Sequence, residues 1–110
     1  MKRFGKVIRL KPECLEAYKE YHANLWPEVR ERLHEHNIHN YSIYYYEGYL
    51  FSYFEYTGED VRKDMALATA RAAPHPRVKE WHRIMSEMQE PLESNAPGQW
   101  SDMEEVFHLD

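Results

Sequence analysis

Leu15, Tyr18, His22, Leu25, Val29 and Leu33 recur at steps of three and four residues, the spacing that gathers side chains on one face of a helix. The helical pattern runs over residues 13–37. Pro12 suits its first turn, where a missing N–H is not needed. Pro27, inside the pattern, removes one backbone donor and is expected to kink or divide the helix near Trp26. Before it, residues 3–10 alternate well enough to predict a first strand. Residues 39–56, HNYSIYYYEGYLFSYFEY, are β-branched and aromatic around Glu47-Gly48, which reads as a hairpin with a short Gly-containing turn. Tyr41, Ile43 and Tyr45 should share one face of its first arm. In the second arm Tyr49, Phe51 and Tyr53 should face one way, and Leu50, Phe54 and Tyr56 the other. Helical propensity returns over 59–72 and is stopped by Pro74 and Pro76. A second helical pattern over 77–90 carries the stripe Val78, Trp81, Met85 and Met88. Residues 91–103 read as a loop, and 104–110, EEVFHLD, as a last strand.

This order, β-α-β-β-α-β, predicts an α+β, ferredoxin-like fold: a four-stranded antiparallel sheet with helices on one face. The opposite face would carry large aromatics with nothing over them. A second copy packed sheet to sheet would cover them, so a homodimer and a dimeric α/β barrel are expected.

Composition narrows the function. The 110 residues suit a single domain over 1–110, and the net charge of −5 argues against nucleic acid and against a polybasic membrane patch. Cys14 is the one cysteine, so no intrachain disulfide can form. With no apolar stretch in the basic N-terminus, the expected location is cytoplasmic. No apolar run approaches the ~20 residues that span a bilayer.

The candidate chemistry starts with His22. It sits one helical turn from Tyr18, close enough for the side chains to meet, and Tyr41 could face the same space. An imidazole with a reference pKa near ~6.5 gives or takes a proton at neutral pH; the alternative is a core histidine hydrogen-bonded to a tyrosine. His34, His36 and His39 could suggest a metal, but histidines at a helix C-terminus are more simply explained by its dipole and free carbonyls, and no metal is expected. Trp81 is either core or a plane for a sugar ring, with His82 adjacent to bond a hydroxyl. Trp100, in a Pro/Gly loop, either closes over a site or pins the loop.

Together these residues match a known family. Tyr18 and His22 followed by Trp26-Pro27-Glu28, then His39-Asn40-Tyr41-Ser42-Ile43-Tyr44, Trp81 before Met85 and the ending Glu105-Val106-Phe107 resemble the L-rhamnose mutarotase family over nearly the full chain. The resemblance implies a dimeric ferredoxin-like barrel acting as an aldose 1-epimerase on a 6-deoxy-L-sugar, with no cofactor. It implies His22 as proton donor, Tyr18 and Tyr41 as sugar contacts, and Trp81 as the first half of a Trp-Trp pair. The chain departs from the pattern at three places: His82 replaces the second Trp, the preceding segment 70–80 is longer and carries prolines, and the later loop reads SNAPGQWSD. Exchanging an indole for an imidazole trades apolar area for a donor and an acceptor. L-Fucose, which differs from L-rhamnose at C2 and C4, is therefore expected as a substrate at least as strongly. The second proton carrier is left among His82, a tyrosine hydroxyl and a water. Rival readings are a monooxygenase or haem-binding protein of the same fold, and a binding module without catalysis.

Overall fold

The structure, a computed structural model, describes residues 1–68 and 75–110. Its elements are β1 (Lys2–Leu10), a 3-10 turn (Pro12–Cys14), α1 (Leu15–Ala23), α2 (Pro27–Glu35), β2 (Ile38–Tyr46), β3 (Tyr49–Tyr56), α3 (Val61–Ala68), α4 (Pro76–Met88), β4 (Gln89–Glu90) and β5 (Ser101–Met103). The antiparallel sheet runs β2-β3-β1-β4, with β5 also on β1, which is the ferredoxin-like order expected.

The long first helical pattern is divided at Pro27, as its chemistry requires. Trp26 is extended (φ −65°, ψ 130°) and Pro27 opens α2, where its fixed φ suits a first turn. Both halves keep their stripe on the sheet. Ile8, Leu10, Tyr18, Val29, Leu50, Trp81, Met85 and Met88 form one core, and Ile38, Phe54 and Tyr56 a second. Asp60 precedes α3 and caps it, its carboxylate accepting from the Lys63 N–H at 3.1 Å, which satisfies one free donor of the first turn. Residues 69–72 of the expected 59–72 helix, and Pro74, lie outside the described residues.

The hairpin turns at Glu47 (φ 47°) and Gly48 (φ 88°), the paired positive φ values of a two-residue turn. In β3, Leu50, Phe54 and Tyr56 face the helices, as expected, and Tyr49, Phe51 and Tyr53 are less covered. The first arm holds a feature the alternation does not show. Between His39 and Ser42 the register slips, and Asn40 takes φ 47°. This bulge changes the side-chain parity. Ile38 lies opposite Tyr56 and Ile43 opposite Ser52, so both face the helices although they are an odd number of residues apart. Tyr41 joins them and stacks on Phe54 (5.6 Å between centroids).

The fourth strand differs from expectation. Residues 104–110 are not a strand and are largely exposed. The free edge of β1 is shared by two short pieces instead. Gln89 lies opposite Leu10, and Ser101 to Met103 pair with Val7 to Gly5. By Met103 the ladder has almost reached the start of β1, so the chain beyond has little backbone left to pair with. Glu105 is held by its ion pair to Arg3 at 3.2 Å, and Val106, Phe107 and Leu109 stand 87, 76 and 79% exposed. Among the described residues no helix is long and apolar enough to cross a membrane.

Candidate functional site

Helix α1 carries Tyr18 and His22 on its sheet-facing side. Their rings lie 4.4 Å apart between centroids. Tyr18 is buried, 5% exposed, while His22 is half-buried. His22 Nδ1 lies 2.8 Å from the Tyr18 carbonyl oxygen. A carbonyl only accepts, so Nδ1 carries the hydrogen and the neutral ring keeps its lone pair on Nε2. Burial lowers the His22 pKa below the ordinary 6.5, against an opposing contribution from that backbone bond. Desolvation disfavours the cation, so His22 is neutral at pH 7.

Trp81 of α4 walls the imidazole, with its ring centroid 5.2 Å from His22, 5.3 Å from Trp26 and 5.9 Å from Tyr21, all edge to face. It is 3% exposed. Trp26 is in turn covered by the Arg77 guanidinium, 3.8 Å above its ring. Tyr41 completes the group from β2. The residue is 37% exposed, and its hydroxyl lies near Ser52. Burial pushes that phenol up to about 12, with the Ser52 hydrogen bond opposing. Burial also raises the Tyr18 phenol; nearby Tyr41 adds to this, and a hydrogen bond from Gln89 opposes it. Of these four residues, His22 and Tyr41 are partly accessible, and Tyr18 and Trp81 are buried. A separate hollow of about 370 Å³ is lined by Ala17, Glu20, Tyr21, Asn24 and Trp26; Tyr21 and Trp26 also pack on Trp81.

The fold thus brings together Tyr18, His22, Tyr41 and Trp81. It does not bring His82 to them. His82 is held against the backbone of Ala68 at the end of α3, and burial lowers its pKa to about 4. Its Nε2 is buried with no hydrogen-bond partner among the described residues. One residue further along a helix is about 100° around it, which turns His82 to α3 when Trp81 faces α1. The other histidines serve local structure. His34 and His39 stack at 5.7 Å. His36 Nδ1 lies 3.3 Å from Asp64 Oδ1, and Asp64 also accepts from the Tyr56 hydroxyl and from Asn37 Nδ2. Among the described residues no three His, Cys, Asp or Glu side chains are placed to hold a metal. Trp100 is partly buried against the main core.

Sequence reasoning passed over Gln89, which looked like a helix tail. It is 6% exposed, and its Nε2 donates to the Tyr18 hydroxyl oxygen at 3.2 Å. Only the end of α4 at Met88 turns it inward, and no periodicity signals that.

A family model described as L-rhamnose mutarotase matches residues 3–109. An L-rhamnose mutarotase of Lactiplantibacillus plantarum is 33% identical, covering 100% of each chain. The crystal structure of an L-rhamnose mutarotase from Formosa agariphila superposes with a TM-score of 0.75 at 25% identity over 100% of both chains. Tetracenomycin F2 cyclase from Streptomyces glaucescens shares the fold, with a TM-score of 0.69 at 13% identity over 100% of both chains.

Proposed function

The chain belongs to the L-rhamnose mutarotase family and is an isomerase, and from that premise we propose that it interconverts the α and β anomers of L-rhamnose at the His22 site. What carries the reading is the state of one imidazole: neutral, with Nδ1–H tied to the Tyr18 carbonyl and Nε2 without a hydrogen-bond partner among the described residues. Anomer exchange needs one proton removed from the C1 hydroxyl and one delivered to the ring oxygen, both general acid–base steps. Both oxygens are bonded to C1, so one nitrogen can serve both in turn. Nε2 takes the hydroxyl proton as the C1–O bond to the ring oxygen breaks and the aldehyde forms. The imidazolium then gives that proton to the released ring oxygen. Rotation about C1–C2 and the reverse steps close the ring on the other face. His22 is thus the donor to the ring oxygen that its family resemblance implied, after first acting as acceptor. No atom is gained or lost and no electron is transferred.

Tyr18, packed on the imidazole ring, and Tyr41, near enough to act on the Tyr18 phenol, bring two hydroxyls to this site. Their raised pKa values keep them protonated, so they act as hydrogen-bond donors to a developing alkoxide. Such donors are worth most where water is excluded, which Trp81 and Tyr18 provide. His82, turned towards α3, is not needed as a second carrier.

The names of the relatives favour L-rhamnose over L-fucose, which the departures at 82 and in the later loop kept open. They do not favour a monooxygenase or haem-binding protein. Magnetisation exchange between the α and β anomeric protons, followed by NMR with each sugar, decides the matter. Exchange accelerated for L-rhamnose supports the assignment. Acceleration confined to L-fucose moves the substrate within the class, and acceleration of neither overturns the reading.

The homodimer rests on the sheet face away from the helices. Tyr44 and Tyr46 are each 66% exposed there, and the apolar tail at Val106, Phe107 and Leu109 is also uncovered. Exposed apolar side chains of this kind mark a surface for a partner. Sedimentation equilibrium should return twice the chain mass at micromolar concentration; a single-chain mass would overturn the dimer.

A further inference from the structure

The structure assigns Gln89 as the residue that orients the Tyr18 hydroxyl for the reaction, an inference that rests on the mutarotase reading above. Gln89 is held in place from both sides. Its main chain lies opposite Leu10 of β1, and the residue before it is tied by a 2.9 Å bond from the Lys11 N–H to the Met88 carbonyl. Its side chain points to the helix-facing side of the sheet, near Tyr18 of the main core. A primary amide buried in such a place costs free energy unless it is hydrogen-bonded. The partner it finds is the Tyr18 hydroxyl oxygen, at 3.2 Å.

The direction of that bond matters. A phenol has one hydrogen to give. With its oxygen accepting from Gln89 Nε2, the Tyr18 hydroxyl cannot point its own hydrogen at the amide nitrogen. That hydrogen stays in the plane of the phenol ring, alongside the His22 imidazole that covers the ring face at 4.4 Å, and is left for a partner other than the amide, in a site that Tyr41 also approaches. Accepting one bond also polarises the O–H and strengthens the bond it donates. Gln89 therefore touches no sugar. It holds a buried hydroxyl as a donor facing the place where the opened sugar carries its alkoxide. A methionine would fill the same space without this effect, and the flanking residues Leu10, Met85 and Met88 show that the surroundings accept apolar volume.

Three variants and one spectroscopic signal test this. Gln89→Met should remain folded and lose about tenfold in the saturated rate of L-rhamnose anomer exchange, the loss expected of one hydrogen bond, with KM little changed. Gln89→Glu should be slower still at pH 8, because a carboxylate only accepts and turns the Tyr18 hydrogen towards itself. It should recover on acidification, as the buried carboxyl takes up a proton and can donate again. In a Tyr18→Phe background Gln89→Met should cause no further loss; additive losses, or a Gln89→Met rate equal to the parent, would overturn the assignment. The ¹³Cζ resonance of Tyr18, identified by its loss in Tyr18→Phe, reports the bond without any sugar. A displaced resonance in Gln89→Met supports the orienting role, and an unmoved one overturns it. Wild-type protein that accelerates neither sugar would instead sink the mutarotase reading, and the resonance would still decide the hydrogen bond.

Discussion

His22→Ala is expected to fold and to lose ~10²–10⁴ of the anomer-exchange rate, the usual worth of a positioned acid–base group. The fold should survive because the imidazole is half-buried and its one polar bond is to a carbonyl of its own helix. Circular dichroism checks the fold and NMR exchange the rate; a rate equal to the parent's would sink the assignment. The pH profile of the wild-type protein is a second check on the same group. The base is active when neutral. Burial places its pKa below 6.5, so the rate should stay level from pH 8 down to about 6.5 and fall only beneath it. A midpoint above 6.5 would show that the nitrogen is not desolvated as described.

Trp81→Ala should cost ~3–5 kcal/mol of stability, the range for emptying an aromatic site in a core. The indole is 3% exposed and meets Tyr21, His22 and Trp26 edge to face, and such pairs add to the area buried. At ~4–8 °C per kcal/mol for a domain near this size, thermal unfolding should begin more than about 10 °C lower. The sequence offered two roles for Trp81, core residue and sugar platform. Trp81→Phe separates them, because it keeps an aromatic wall at smaller loss of volume. A near-normal melting temperature with a raised KM would assign sugar contact. Unchanged kinetics with lowered stability would leave Trp81 as the wall that orders and dries the imidazole. A melting temperature unmoved by Trp81→Ala would contradict the packing itself.

Much of this architecture was readable along the chain because local chemistry sets it. The stripe from Leu15 to Leu33 marked the buried helix face, and Pro27 marked its division, since a missing N–H acts wherever it stands. Glu47-Gly48 marked the turn, and the hairpin registers itself around so short a link. The proximity of Tyr18 to His22 follows from one turn of helix and needs no partner. Their match to a family, with Tyr41 and Trp81, named the group that the fold then brought together.

What the chain by itself determined, then, is every feature that depends on neighbours within a few residues: the helix faces, the break, the turn and the Tyr18–His22 pair. What only the tertiary structure decided depends on segments distant in sequence. The bulge at Asn40 puts Tyr41 on the helix side together with Ile38, a choice made by pairing with β3 rather than by alternation. The free edge of β1 is taken by 89–90 and 101–103, so the expected last strand at 104–110 has little left to pair with. His82 neighbours Trp81 in sequence yet faces Ala68, because a helix packed between two others sends successive residues to different neighbours. Gln89 reaches Tyr18 across 71 positions, a contact no periodicity encodes, since it exists only once α4 has ended against the sheet.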